Sequence, residues 1–306
     1  MHHDERQAIL AQLREIYDGR YDKTWGTGKE LHWEGRLGLI AGVTPIIDKY
    51  HGVLAVLGER FVMLRVEQPN RQDMATKALD NADHETQKRQ ELAALVQGFM
   101  ASLPATPPPV PPGLQTQLAR MADFVTRCRS GVVRDGYRRE LEYAPEPEMP
   151  ARFAKQLYEL LRGVALVCGH QEATQEDYDR IARVALDCIP AARRTILRTI
   201  ATLTAREAEA LTTTQVAQTV QYSTAAVRRA LEDLQALGIL HVTKGGQGVA
   251  DKWQTREEWQ QALETLKKVE STAKTRREIT FSEKPEEGHT HNLDHATPNG
   301  DDEEVF

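Results

Sequence analysis

A chain of 306 residues with 40% hydrophobic content is long enough for about two domains with ordinary cores. No apolar run approaches the roughly 20 residues needed to cross a bilayer, and the opening Met1-His2-His3-Asp4-Glu5-Arg6 lacks the apolar centre of a signal peptide, so a cytoplasmic protein without a membrane partner is expected. The formal charge of −6 is uneven: residues 283–306 carry eight acids against one lysine, whereas 191–257 hold nine bases and six acids, and local sign decides whether phosphate is attracted.

Residues 4–19 repeat Ile9, Leu10, Leu13 and Ile16 at helical spacing. A turn is expected at 25–30. Residues 37–44 are a continuous apolar run of strand length and predict a buried strand. Pro45 is well placed to open a helix to about residue 57. A second strand is expected over 60–66 and a long polar helix over 72–103. Seven of the residues in 104–113 are prolines or glycine, which predicts a stiff hinge. Helices follow over about 114–129, 150–167 and 174–188. Cys128, Cys168 and Cys188 stand far apart without a CxxC pair, so neither a zinc knuckle nor a disulfide framework is indicated and buried thiols are expected.

The sharpest signal lies in 191–256. A first helix is expected over 191–203. Thr212 and Gln215 have capping-box spacing at the start of a second helix ending at Val220. Gln221-Tyr222 makes a tight turn, and Ser223 caps a third helix with Val227, Leu231 and Leu234 on one face. Gly238 ends that helix. Strands over 239–242 and 249–253 flank a glycine-rich tip at 245–248. This order resembles a winged helix-turn-helix. The resemblance implies a third helix that enters a major groove, with Ser223, Thr224, Arg228 and Arg229 at the DNA and Lys244 and Lys252 beside a slender wing. Some such domains bind protein only, and that alternative stays open. A further helix is expected over 255–274, capped by Thr255 and Glu258 and lined by Trp259, Leu263, Leu266 and Val269; it packs back on the wing domain or pairs with another copy. His289, His291 and His295 lie in a solvated acidic tail that cannot build a rigid metal cage. The last six residues resemble the acidic tip of bacterial single-stranded DNA-binding proteins.

Residues 1–190 resemble the C-terminal part of an AAA+ ATPase module of the phage and mobile-element helicase-like kind, with the layout of MCM helicases. Residues 37–44 resemble the sensor-1 strand, with Thr44 at the place of the polar sensor. Gly58-Glu59-Arg60-Phe61 resembles the arginine-finger segment, and residues 150–157 resemble the sensor-2 helix with Arg152 facing phosphate. The resemblance implies that Arg60 and Arg152 serve nucleotide bound by a neighbouring subunit. The sequence has no G-x-x-x-x-G-K-[ST] loop: Gly26-Thr27-Gly28-Lys29 is followed by Glu30, whose carboxylate opposes phosphate. No apolar strand ends in paired acids to hold magnesium. The chain is therefore expected to be a truncated or split motor with no catalytic residues and no cofactor in isolation, ATP and Mg entering only with a partner or an extended chain.

The expected fold is mainly α with small β content: a partial α/β ATPase segment over 1–103 lacking both nucleotide motifs, a Pro-rich hinge over 104–113, a helical lid over 114–190, a winged helix over 191–256, a helix over 257–281 and a disordered acidic tail over 282–306. The expected function is that of a DNA-binding accessory protein in phage or mobile-element replication. Two alternatives remain: a winged-helix transcriptional regulator, and a trans-acting subunit supplying an arginine finger. DNA is the expected partner, with an ATPase subunit or a second copy beside it.

Overall fold

The computed structural model describes residues 3–50, 60–66, 70–137, 140–143, 146–207 and 210–268. The described chain is mainly helical with three small antiparallel sheets. Helix α1 (His3–Tyr17) leads into a hairpin of β1 (Arg20–Thr24) and β2 (Glu30–Glu34), paired from Arg20↔Glu34 to Thr24↔Glu30. Its tip is closed by the Gly28 N–H on the Trp25 carbonyl, and Gly28 takes the left-handed φ of +76° that suits a residue without Cβ.

The strand expected over 37–44 is not formed. That segment is extended and exposed, with Leu37, Leu39, Ile40 and Val43 all facing solvent. An apolar run predicts burial only where a neighbouring strand supplies backbone partners, and among the described residues no sheet includes it. The run at 60–66 also forms no strand, for a different reason. The Met63 N–H donates to Cys188 Sγ at 3.2 Å and the Arg65 N–H to Asp187 Oδ2 at 2.9 Å, so helix side chains stand where a ladder would be. Val62 and Met63 pack against the core. The α/β character expected of 1–103 is thus reduced, among the described residues, to the β1–β2 hairpin. Of the helix expected from Pro45, a 3-10 turn (Pro45–Tyr50) is seen, and 51–57 lie outside the described residues.

The single long helix expected over 72–103 is broken. Helix α2 (Arg71–Asn81), whose start is capped by Asn70, passes through a 3-10 turn at Ala82–His84 into α3 (Glu85–Ser102). The Pro-rich segment then docks rather than swings. Val110 is buried, the Pro109 carbonyl accepts the Ala173 N–H, and Arg162 reaches the Pro107 and Pro108 carbonyls.

Helices α4 (Pro112–Arg129), α5 (Ala151–Val167) and α6 (Gln175–Asp187) form the main core, with a two-strand irregular pair, β3 (Val133–Arg134) and β4 (Leu141–Tyr143), between α4 and α5. Pro112 opens α4, where its missing N–H costs nothing. Leu118, Met121, Phe124 and Val125 of α4 meet Phe153, Leu157 and Leu161 of α5 and Ile181 and Ala185 of α6 in one buried cluster. Thr174 and Asp177 cap α6 reciprocally. Cys128 and Cys188 are buried as expected of thiols, but Cys168 is exposed because it terminates α5 at the surface.

Helix α7 (Ala191–Glu207) extends this core through Ile196, Leu197 and Ile200. Then come β5 (Leu211–Thr212), α8 (Thr213–Val220), α9 (Thr224–Ala236), β6 (Leu240–Thr243) and β7 (Lys252–Thr255), the strands in the order β5-β7-β6. A 3-10 turn (Glu257–Trp259) leads to a last described helix over 260–268, here α10. Thr255 ends β7 instead of capping a helix, and Arg256 stands at the cap without a side-chain bond. Trp259 packs on Phe124 at 5.7 Å between ring centroids and donates Nε1–H to the Gly238 carbonyl at 2.9 Å. Lys268 pairs with Asp179 of α6 at 2.7 Å. Of the two alternatives for this helix, the described part packs back on the chain.

Candidate nucleic-acid interface

Three helices and a hairpin place the residues that sequence pattern singled out over 223–252. Thr212 and Gln215 form the capping box at the start of α8. Gln221 turns the chain with a left-handed φ of 57°, the only positive φ of a non-glycine residue described. Ser223 then accepts the Ala226 N–H on its hydroxyl at 3.3 Å and starts α9. Ser223 therefore acts first as a helix cap, which fixes where the next turn points.

Val227, Leu231 and Leu234 of α9 are buried, and Thr224, Arg228 and Arg229 are exposed. The 3.6-residue period puts Thr224 and Arg228 on one line of the helix surface, away from the apolar stripe. Gly238, at φ +78°, ends the helix. The wing loop runs from Lys244 to Asp251, longer than the glycine tip alone. The Val249 N–H turns back onto the Gly246 carbonyl, Gly248 takes φ +81°, and Val249 is exposed, so the return strand begins at Lys252 and not at Val249. Lys252 is exposed while Trp253, the next residue, is buried and donates Nε1–H to Thr213 Oγ1 at 2.9 Å.

Asp251 is a residue that the sequence reading did not single out. Its carboxylate accepts the Gly245 N–H at 3.0 Å and pairs with Lys244 Nζ at 3.1 Å. The Gly245 N–H, then Lys244, and more weakly the charge of Arg228 hold its carboxyl below the usual carboxylate range. The wing base and the third helix therefore share one electrostatic neighbourhood, with Lys244 already facing an acid. Tyr222, half-exposed beside the turn, adds an aromatic edge to the same end of α9.

A second missed set lies at the other end of α9. Arg134 of β3 reaches Glu232 and Asp233 and donates to the Arg229 carbonyl at 2.8 Å. Arg193 of α7 reaches Asp233 and the Cys128 and Ser130 carbonyls. The acids of α9 are thus neutralised from behind, and its first two turns keep their positive charge outward. Nothing in local spacing announces this, because the partners lie 40 to 99 residues apart.

The residues expected to serve nucleotide are placed as follows. Thr44 is exposed, and its carbonyl accepts the Ile47 N–H at the start of the 3-10 turn. Arg60 pairs with Asp18 at 2.9 Å and Arg152 with Glu148 at 2.5 Å. Gln156, one turn beyond Arg152 on α5, donates to the Arg60 carbonyl at 2.7 Å and to the Tyr17 hydroxyl at 3.0 Å. The two arginines are thus drawn to one side of α5, each facing a carboxylate. Glu148 is shared with the buried Arg129, whose guanidinium lies 4.2 Å over the Phe153 ring.

Among the described residues no group of three or more His, Cys, Asp or Glu side chains could hold a metal ion. The tail histidines His289, His291 and His295 lie outside the described residues. No described helix is long and apolar enough to cross a membrane. No family model, no curated protein and no solved structure matches the chain.

Proposed function

We propose that this protein is a DNA-binding accessory protein of the class derived from AAA+ helicase-like ATPases of phages and mobile elements, acting in the cytoplasm, and that residues 191–256 are its winged helix-turn-helix reader. The observation that carries this reading is the exposed basic face made by Arg228 and Arg229 on α9 and by Lys244 and Lys252 at the wing, opposite the buried stripe of Val227, Leu231 and Leu234. Thr224, held at the first turn by the Ser223 cap, presents a hydroxyl beside Arg228. An arginine there pairs with phosphate or holds a guanine edge through two bonds.

No nucleotide step is assigned to this chain. The sequence lacks a phosphate loop, and Arg60 and Arg152 would have to leave Asp18 and Glu148 to meet a partner's ATP and Mg. The test is fluorescence anisotropy of the full chain with labelled duplex and single-stranded DNA at low salt. Binding is expected, weakened at least several-fold by Arg228→Ala with Arg229→Ala, and with a shallower salt slope of about one unit per lost phosphate contact. Absence of binding to any duplex or single strand overturns the reading.

A further inference from the structure

On α3, Leu92, Leu95, Val96, Phe99 and Met100 recur at the three- and four-residue spacing of one helix face. Each keeps between 46% and 72% of its surface exposed, and α3 buries no residue. Opposite this face stand Gln87, Gln90, Ala94, Gln97 and Ala101, and from Leu92 to Ala119 the sequence carries no charged residue. A helix of this composition is stable in water only with its apolar face covered.

We propose that this face is the docking surface for a second copy of the chain, the two α3 helices lying antiparallel about Val96. With about half to two-thirds of each of these five large side chains exposed, the face offers on the order of 500 Å² per copy. A fully covered pair then buries up to ~1,000 Å², the lower bound of a specific interface and less than the ~1,200–2,000 Å² of stable ones, so a concentration-dependent dimer is expected. A face contributed twice must be self-complementary, and a strip without charge meets no like charge from its own image. Charge also selects the direction. Glu85, Lys88, Arg89 and Glu91 all lie in the first two turns, where Glu85 and Arg89 already pair at 2.6 Å. A parallel pair would set Lys88 and Arg89 against their own copies. An antiparallel pair carries Glu85, Lys88 and Arg89 past the partner's Ser102 towards its uncharged Leu103–Pro107 stretch and sets Glu91 level with its Ala101. Ala93 and Gly98, which flank the stripe on its two sides, leave room for close approach. A partner with a charged recognition segment would find nothing on 92–102 to pair with.

The experiment is sedimentation velocity and light scattering on the full chain over a range of concentrations. A species of twice 34.4 kDa is expected. Leu95→Asp and Phe99→Asp each shift it to a single-copy mass with unchanged fluorescence of the buried Trp253 and Trp259, because neither side chain belongs to the core, and any loss of far-ultraviolet signal stays within the share contributed by α3. Direction is read by oxidation in a Cys168→Ser background. Val96→Cys is expected to form an inter-chain disulfide, and Leu92→Cys chains mixed with Met100→Cys chains do so as well, whereas Leu92→Cys alone does not. A single-copy mass at every concentration, or a dimer indifferent to both Asp substitutions, overturns the proposal. Cross-linking of Leu92→Cys to itself overturns the antiparallel arrangement.

Discussion

The Arg134 guanidinium of β3 lies 2.7 Å from Asp233 Oδ1 on α9, while Arg193 of α7 holds the other oxygen of that carboxylate at 3.1 Å. One acid therefore ties α9 to the strand β3 and the helix α7 at once. All three side chains are largely removed from solvent, at 13%, 18% and 11% exposure for Arg134, Asp233 and Arg193. Charges withdrawn to that degree are costly to leave without their counter-ion.

Asp233→Ala is accordingly expected to destabilise the protein by about 2–3 kcal/mol, because it leaves two guanidiniums facing each other across a vacated site. Urea unfolding followed by circular dichroism reads this as a lower midpoint with an unchanged slope. Asp233→Asn retains one acceptor oxygen and is expected to lose less. Thr224→Ala, on the exposed face of the same helix, should stay within about 0.5 kcal/mol of the parent. Equal losses in Asp233→Ala and Thr224→Ala would show that the double arginine contact does not brace α9.

Asp251 sits beside Lys244 and within the field of Arg228, so it opposes any polyanion at that face. Asp251→Asn should raise DNA affinity several-fold at low ionic strength, and the gain should fade as salt rises because the contact is exposed and screened. Anisotropy titrations at two or three salt concentrations check it. A loss of affinity at low salt would instead mean that the Asp251 bond to the Gly245 N–H, which shapes the wing, outweighs the charge.

Asp177 bears on pH. Burial pushes its carboxyl up, but the Thr174 N–H, the His170 ring at 2.7 Å and the Thr174 hydroxyl outweigh burial and hold it below the usual carboxylate range. A carboxyl whose folded value lies under its unfolded value of about 4 adds stability above that pH and loses it as pH falls through the folded value. The parent should therefore lose melting temperature on acidification below about pH 4. Asp177→Asn should cost about 1–2 kcal/mol at neutral pH through the broken capping box and show a flatter acid limb. An acid limb identical in both proteins would remove Asp177 from the account.

Much of the helical fold was legible in local signals. Thr174 with Asp177, Thr212 with Gln215, Ser223 and Gly238 each mark a helix boundary through bonds made within four residues, so their chemistry is complete in the sequence. The readings that failed concern partners. Segments 37–44 and 60–66 have strand composition alike, yet one lies exposed and the other docks on Cys188 and Asp187. Periodicity reports a side chain's preference for burial and not which surface arrives to bury it. Thr255 and Glu258 have capping-box spacing, but β7 claims Thr255 first through its pairing with Leu240.

The sequence by itself determined most of the helices between 112 and 236 and the apolar faces they bury, because those depend on contacts a few residues away, but not the break at Ala82–His84 or the late start of the last helix after Thr255. It also determined that Arg228 and Arg229 stand off the buried stripe of α9, a consequence of helical period alone. Only the tertiary structure decided that Arg134 and Arg193 neutralise the acids behind that helix, that Asp251 faces Lys244 across the wing, and that Trp259 seals against Phe124. These are encounters between groups brought together by chain folding, and the two sides of each need no mark in their own neighbourhood to meet.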